Sequence, residues 1–149
     1  GSYQLVLNYS GDAAHLPSQT TVDFLVKPLL GPPPAQRIEI QAEGSVIDGA
    51  GDRYEFSINA TNDPLDGALV VRDVTRSKVL RARELTSVSL SGDTATITGL
   101  CSADGAGSYR FVVRVSDAAP DTFALTTTEG TFVPQTALAT GTVAIATAP

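Results

Sequence analysis

Few residues in this chain belong to the types that do chemistry, and their spacing narrows the possibilities further. His15 is the single histidine and Cys101 the single cysteine among 149 residues. A nucleophilic triad needs a hydroxyl or thiol, a base and an orienting group within hydrogen-bond reach. No G-x-S-x-G turn accompanies His15, which reads as an exposed loop residue. Cys101 has no Lys, Arg or His beside it in sequence to favour its thiolate, and alone it makes no internal disulfide. It reads as a small buried hydrophobe at the end of a strand. A glycosidase pair needs two acids set across a cleft; none of the carboxylates is singled out by an aromatic platform, and Trp is absent. Asp48 with Asp52, Asp63 with Asp66, and Asp117 with Asp121 sit in turn-like segments that could supply oxygen ligands to calcium. No D-x-D-x-D-G loop is present, and Asp in turns commonly bonds its own backbone amides. Asn8-Tyr9-Ser10 and Asn59-Ala60-Thr61 fit the glycosylation sequon, which a chain rich in Ser and Thr also meets by chance. No catalytic, cofactor-binding or metal-ligating residue is assigned, and no cofactor is expected.

Composition points the same way. The net charge is −6 and the isoelectric point about 4.5, which leaves no large positive surface for phosphates, so nucleic acid is not an expected partner. No run of about 18 apolar residues is present, and membrane insertion is not expected. The absence of an initiator Met and of a basic-then-apolar leader reads as a mature product or an excised piece. Charged residues make up 17%, below the roughly 25% usual in globular domains, and hydroxyls carry much of the polarity. Abundant Val and Thr favour pleated surfaces.

The elements that would position these groups are strands. Tyr3, Leu5, Leu7 and Tyr9 alternate with Gln4, Val6 and Asn8, Ser10-Gly11-Asp12 supplies a turn, and a second extended run follows over residues 20–26. Lys27 to Pro34 holds four prolines and a glycine, which predicts a stiff polyproline-type spacer. Further strands are predicted over 37–42, 53–60, 68–74, 85–90, 94–98, 109–115, 122–126 and 140–146, with turns at 44–52, 62–67, 91–93 and 103–107. Arg72 to Arg83 holds five of the ten basic residues and reads as a solvated edge strand guarded by charge. A polyanion contact is the alternative there, and the overall acidity argues against it. The organisation expected is a strand pair at 1–26, a linker at 27–34 and a β-domain at 35–149.

Two resemblances rest on these motifs. Residues 1–12, with Tyr3, Tyr9, Gly11 and Asp12, and the strand closing at Val26 resemble the last two strands of a bacterial Ig-like repeat. From Arg37 onward the chain is similar to a post-COAP-type β-rich domain of bacterial secreted and surface proteins. That similarity is carried by Glu43-Gly44-Ser45-Val46, Tyr54 and Phe56, by residues 91–99 (S-G-D-T-A-T-I-T-G) and 104–117 (D-G-A-G-S-Y-R-F-V-V-R-V-S-D), and by Asp121-Thr122-Phe123-Ala124-Leu125. The short connection from Asp117 to Asp121 and the thiol at Cys101 depart from that pattern. The resemblances imply an accessory role outside the cell and bring no catalytic residue.

The expected fold is all-β, an antiparallel β-sandwich of Greek-key, Ig-like or jelly-roll type. The expected function is a non-enzymatic structural, assembly or adhesion module of a secreted or cell-surface bacterial protein, with other copies of the chain or neighbouring domains as partners. The alternative is a calcium- or carbohydrate-binding module acting through loops near Asp48, Asp66 and Asp117.

Overall fold

The computed structural model describes residues 2–25 and 36–148, and the chain divides into two compact units, Gly1–Ala35 and Gln36–Pro149. The proline-rich junction expected at 27–34 lies outside the described residues. In the first unit, β1 (Ser2–Tyr9) and β2 (Ser18–Leu25) form a two-stranded antiparallel sheet. Tyr9 lies opposite Ser18, which sets the register of the hairpin.

The second unit contains eight strands: β3 (Arg37–Ile47), β4 (Arg53–Asn62), β5 (Leu65–Asp73), β6 (Lys78–Ser91), β7 (Thr94–Ala103), β8 (Ala106–Ser116), β9 (Thr122–Thr127) and β10 (Gly130–Ala148). Each pairs antiparallel with the next, and β10 returns to pair with β3, closing a barrel in simple up-and-down order. This corrects the expected sandwich: there is one closed sheet and no Greek-key crossover. An even number of strands lets the last meet the first antiparallel, and closure removes the free edges that an open sheet must protect.

Two long strands make closure possible by bending. The start of β10 pairs with β9 and its remainder, from Leu138, pairs with β3. Lys78–Arg81 of β6 pair with β5, and Leu80–Ser91 pair with β7. Register shifts fall at these bends, between Ala82 and Glu84 and between Leu85 and Ser87 on β6, and again around Val133 and Leu138 on β10. Bulges turn a strand from one wall to the next. The predicted edge strand at 72–83 is thus the end of β5, a turn and the start of β6, paired within the barrel.

Gly44 is the second correction. Its neighbourhood reads as a turn, yet β3 runs through it to Ile47. Gly44 faces Gly141 on β10, and a Cβ on Gly44 would lie 2.2 Å from the Thr140 carbonyl oxygen. The glycine allows two backbones to approach closely within a sheet. Pro134 similarly sits in β10 where the register shifts between Val133 and Thr136, the setting in which a strand tolerates proline.

Alternation sends one face of every strand inward. On β4 the inward set is Tyr54, Phe56, Ile58 and Ala60, and on β8 it is Phe111, Val113 and Val115, all at most 4% exposed. The rings of Phe56 and Phe123, from strands that are not neighbours, stack with centroids 4.2 Å apart and planes 10° from parallel. Burying each large side chain contributes roughly 1.5–3 kcal/mol. The outward set is polar, with Glu39, Gln41 and Glu43 on β3 and Glu55, Ser57 and Asn59 on β4. No helix among the described residues is long and apolar enough to cross a membrane.

Candidate functional site

The turns that hold the sequence's aspartates fall at both rims of the barrel. In an up-and-down barrel successive connections alternate between rims, so the turn after β3, with Asp48, is opposite the turns after β4 and β8, with Asp66 and Asp117. The three loops considered for calcium do not converge. No group of three or more His, Cys, Asp or Glu among the described residues is placed to hold a metal ion.

Most of these carboxylates are occupied by the chain itself. Asp48 Oδ1 accepts from the amides of Ala50 and Asp52, both at 2.9 Å. Asp66 accepts from the Gly67 amide at 2.8 Å, and Asp104 from the Val79 amide at 2.8 Å. Asp121 bridges the bend of β10, accepting from the Val143 amide through its side chain and from the Leu138 amide through its carbonyl.

The rim carrying Asp48 holds the densest polar cluster. Asp73, at the end of β5, is 1% exposed. Its carboxylate accepts from the Arg76 amide at 2.8 Å and from Arg76 Nη1 at 3.0 Å. The same guanidinium pairs with Asp52 and donates to the Tyr54 hydroxyl at 3.3 Å. Asp73, Tyr54 and Asp52 together raise the Arg76 pKa above its ordinary value. Burial pushes the Tyr54 phenol up, and the carboxylates of Asp48 and Asp73 push it the same way. The Tyr54 ring meets Phe132 edge-on with centroids 5.7 Å apart, so aromatic and ionic contacts close this rim together. With every charge answered by a neighbour, the cluster acts as a fastener.

In the hairpin loop, Asp12 accepts from the Tyr9 hydroxyl at 2.7 Å and from the amides of Ala14 and His15. The Tyr9 bond foremost, then the Ala14 amide and the His15 side chain, lower the Asp12 pKa to about 2. His15 contacts Asp12 through Nδ1 at 2.9 Å and is otherwise exposed. Cys101 on β7 is 1% exposed, and burial pushes its thiol pKa up. The two residue types best suited to nucleophilic chemistry therefore lie in separate units. Asn8 and Asn59, the sequon asparagines, are both exposed on strands.

The outer wall of β6–β8 carries a concavity. A groove of about 500 Å³ is lined by Glu84, Thr86, Thr98, Leu100, Arg110 and Val112, over Gly99 and Phe111. The β6 bulges lie beside it. Thr98 Oγ1 is shared by the hydroxyls of Thr86 at 2.8 Å and Ser87 at 2.7 Å. Sequence reading did not join these residues, because they come from three strands whose alignment depends on register. The alternation of Thr94, Thr96 and Thr98 was the available signal for an outward hydroxyl row.

No protein-family model, curated protein or solved structure matches the chain. The fold defines a closed eight-stranded up-and-down β-barrel with an apolar interior, and neither the Ig-like repeat nor the post-COAP-type domain is identified by a match.

Proposed function

We propose that this chain is a non-enzymatic adhesion or assembly module of a secreted or cell-surface bacterial protein, acting through the outside of its barrel. The observation that carries the reading is the filled interior. Phe111, Phe123, Ile40, Ile97 and Leu125 meet there with at most 1% exposure, so binding is left to the wall and rims. Small barrels either fill with side chains in this way or enclose a ligand. The apolar-inside, polar-outside pattern is the reverse of a membrane barrel, which supports a barrel that works in water.

The first unit supports a partner outside the chain's own hairpin. Leu5, Leu7 and Val22 are 49%, 51% and 47% exposed, and an isolated two-stranded hairpin is marginally stable in water. Another copy of the chain or a neighbouring domain supplies the missing cover. The motifs shared with bacterial Ig-like repeats and post-COAP-type domains support an extracellular setting.

Beads coated with the chain, mixed with extracellular polymers, whole bacterial cells and beads bearing a second copy, test the proposal. Retention on at least one of these surfaces, with no turnover in a panel of chromogenic esters and glycosides, is the expected result. Turnover without retention overturns it.

A further inference from the structure

Among the described residues, four exposed cations gather on one outer wall of the barrel, and that wall is assembled from distant parts of the chain. Arg81 and Arg83 on β6 and Arg110 and Arg114 on β8 are all exposed, with Glu84 the one carboxylate on β6–β8. None of these four cations is among the ion pairs of the described residues, which engage Arg37, Arg53 and Arg76 instead. The bulge at Ala82–Glu84 places Arg83 where it reaches the Gly107 carbonyl at 3.4 Å.

Register sets the groove inside this wall. Glu84, Leu100 and Arg110 are aligned across β6, β7 and β8; Ser87, Thr98 and Val112 form the next row, and Ser89, Thr96 and Arg114 the one after. Leu100 lies between Glu84 and Arg110 in the first row, and the Thr98 hydroxyl, bonded to Thr86, lies beside Val112 in the second, so an aliphatic floor of Leu100 and Val112 has polar groups around it. Each part answers a feature of an acidic sugar. The aliphatic floor fits the C–H face of a pyranose ring, and the hydroxyls and Glu84 suit its hydroxyl groups. The Arg110 fork matches a carboxylate or sulfate. Arg81, Arg83 and Arg114 extend the positive strip for a chain of such units.

Charge complementarity therefore selects the occupant. We infer that the β6–β8 wall is a binding site for an acidic polysaccharide bearing carboxylate or sulfate groups, with the groove at Thr98 and Arg110 holding one sugar unit. The chain's net negative charge does not prevent this, because charges beyond about 8 Å are screened at physiological salt. A single-stranded nucleic acid fits less well. Its bases need exposed aromatic faces, whereas the groove's one aromatic residue, Phe111, is 1% exposed. The inference rests on the adhesion reading and gives it a ligand class and a surface.

Biolayer interferometry on the whole chain tests it with four probes: polygalacturonate for carboxylates, dextran sulfate for sulfates, neutral dextran, and oligothymidylate. At least one acidic polysaccharide should bind and neutral dextran should not, with affinity falling at least about tenfold between roughly 50 and 200 mM salt. The double variant Arg110→Glu/Arg114→Glu should weaken binding at least about tenfold, while Arg37→Glu, on β3, should leave it unchanged. Thr98→Val should weaken the sugar about threefold without altering the salt slope, a groove effect that general charge attraction does not produce. Thermal melts of each variant check that the barrel is intact. The inference is overturned by no acidic polysaccharide binding at low salt, by oligothymidylate binding as tightly at equal charge, or by an intact double variant that binds normally. In any of these cases retention on the bead panel that survives the double variant leaves the adhesion reading standing on another surface.

Discussion

Arg76 shows how a residue that belongs to a basic run in sequence can serve an acid in the fold. Its guanidinium and amide are the side-chain and backbone donors to Asp73, which is 1% exposed. Breaking a buried ion pair costs roughly 3–5 kcal/mol, and the half-exposed position of Arg76 reduces that through solvent screening. Arg76→Met should therefore destabilise the barrel, seen as a lower midpoint of urea unfolding. Asp12 supports a pH prediction. Its folded pKa of about 2 lies below the ordinary carboxylate value, so its contribution to loop order is complete above about pH 4. That contribution is lost as pH falls through about 2. Protection of the Ala14 and His15 amides, as exchange relative to the intrinsic rate at the same pH, should fall over that window in the native chain and should be absent at all pH values in Asp12→Ala. Neither role could be read from the residue alone, since both depend on partners brought by turns.

Within the elements, glycines record where backbones and rings meet. Gly99 on β7 lies opposite Phe111 on β8, and a Cβ there would stand 2.1 Å from the Glu84 carbonyl oxygen and 2.8 Å from the Phe111 ring. Gly99→Ala should cost about 1–3 kcal/mol by overpacking, and Phe111→Ala about 3–5 kcal/mol by cavity formation. The double variant should be less destabilised than the sum, because removing the ring relieves one of the two clashes. Chemical denaturation of the three variants measures this coupling. Strand identity was legible here: Tyr54, Phe56, Ile58 and Ala60 alternate in sequence and all point inward. Gly44 was misread because a glycine that opens a turn and one that lets two strands approach are the same residue. Only the presence of Gly141 across the ladder tells them apart.

At the scale of the molecule, closure between β3 and β10 is the decisive event. Ile40 lies opposite Ile145, and Val46 opposite Leu138, so the first and last strands of the barrel are direct ladder neighbours although nearly the whole barrel separates them in sequence. Deleting residues 140–149 should leave most of β3 as an exposed edge and increase aggregation, seen by light scattering. Melting temperature should not move with calcium or EDTA, because the loops with Asp48 and Asp66 lie at opposite rims and a ligand stabilises only a native state that binds it.

By itself the sequence determined a strand-rich chain, the inward face of most strands, and the scarcity of nucleophiles and metal ligands, because these follow from period-two alternation and residue type. Tertiary structure decided that the sheet closes into a barrel and does not split into a sandwich. Both folds need the same alternation; they differ in whether β6 and β10 bend at bulges and bring β3 and β10 into register. It also decided that Arg110 and Arg114 join Arg81 and Arg83 on one wall. Charge along a chain can be counted from its residues, but charge on a surface depends on which strands lie side by side.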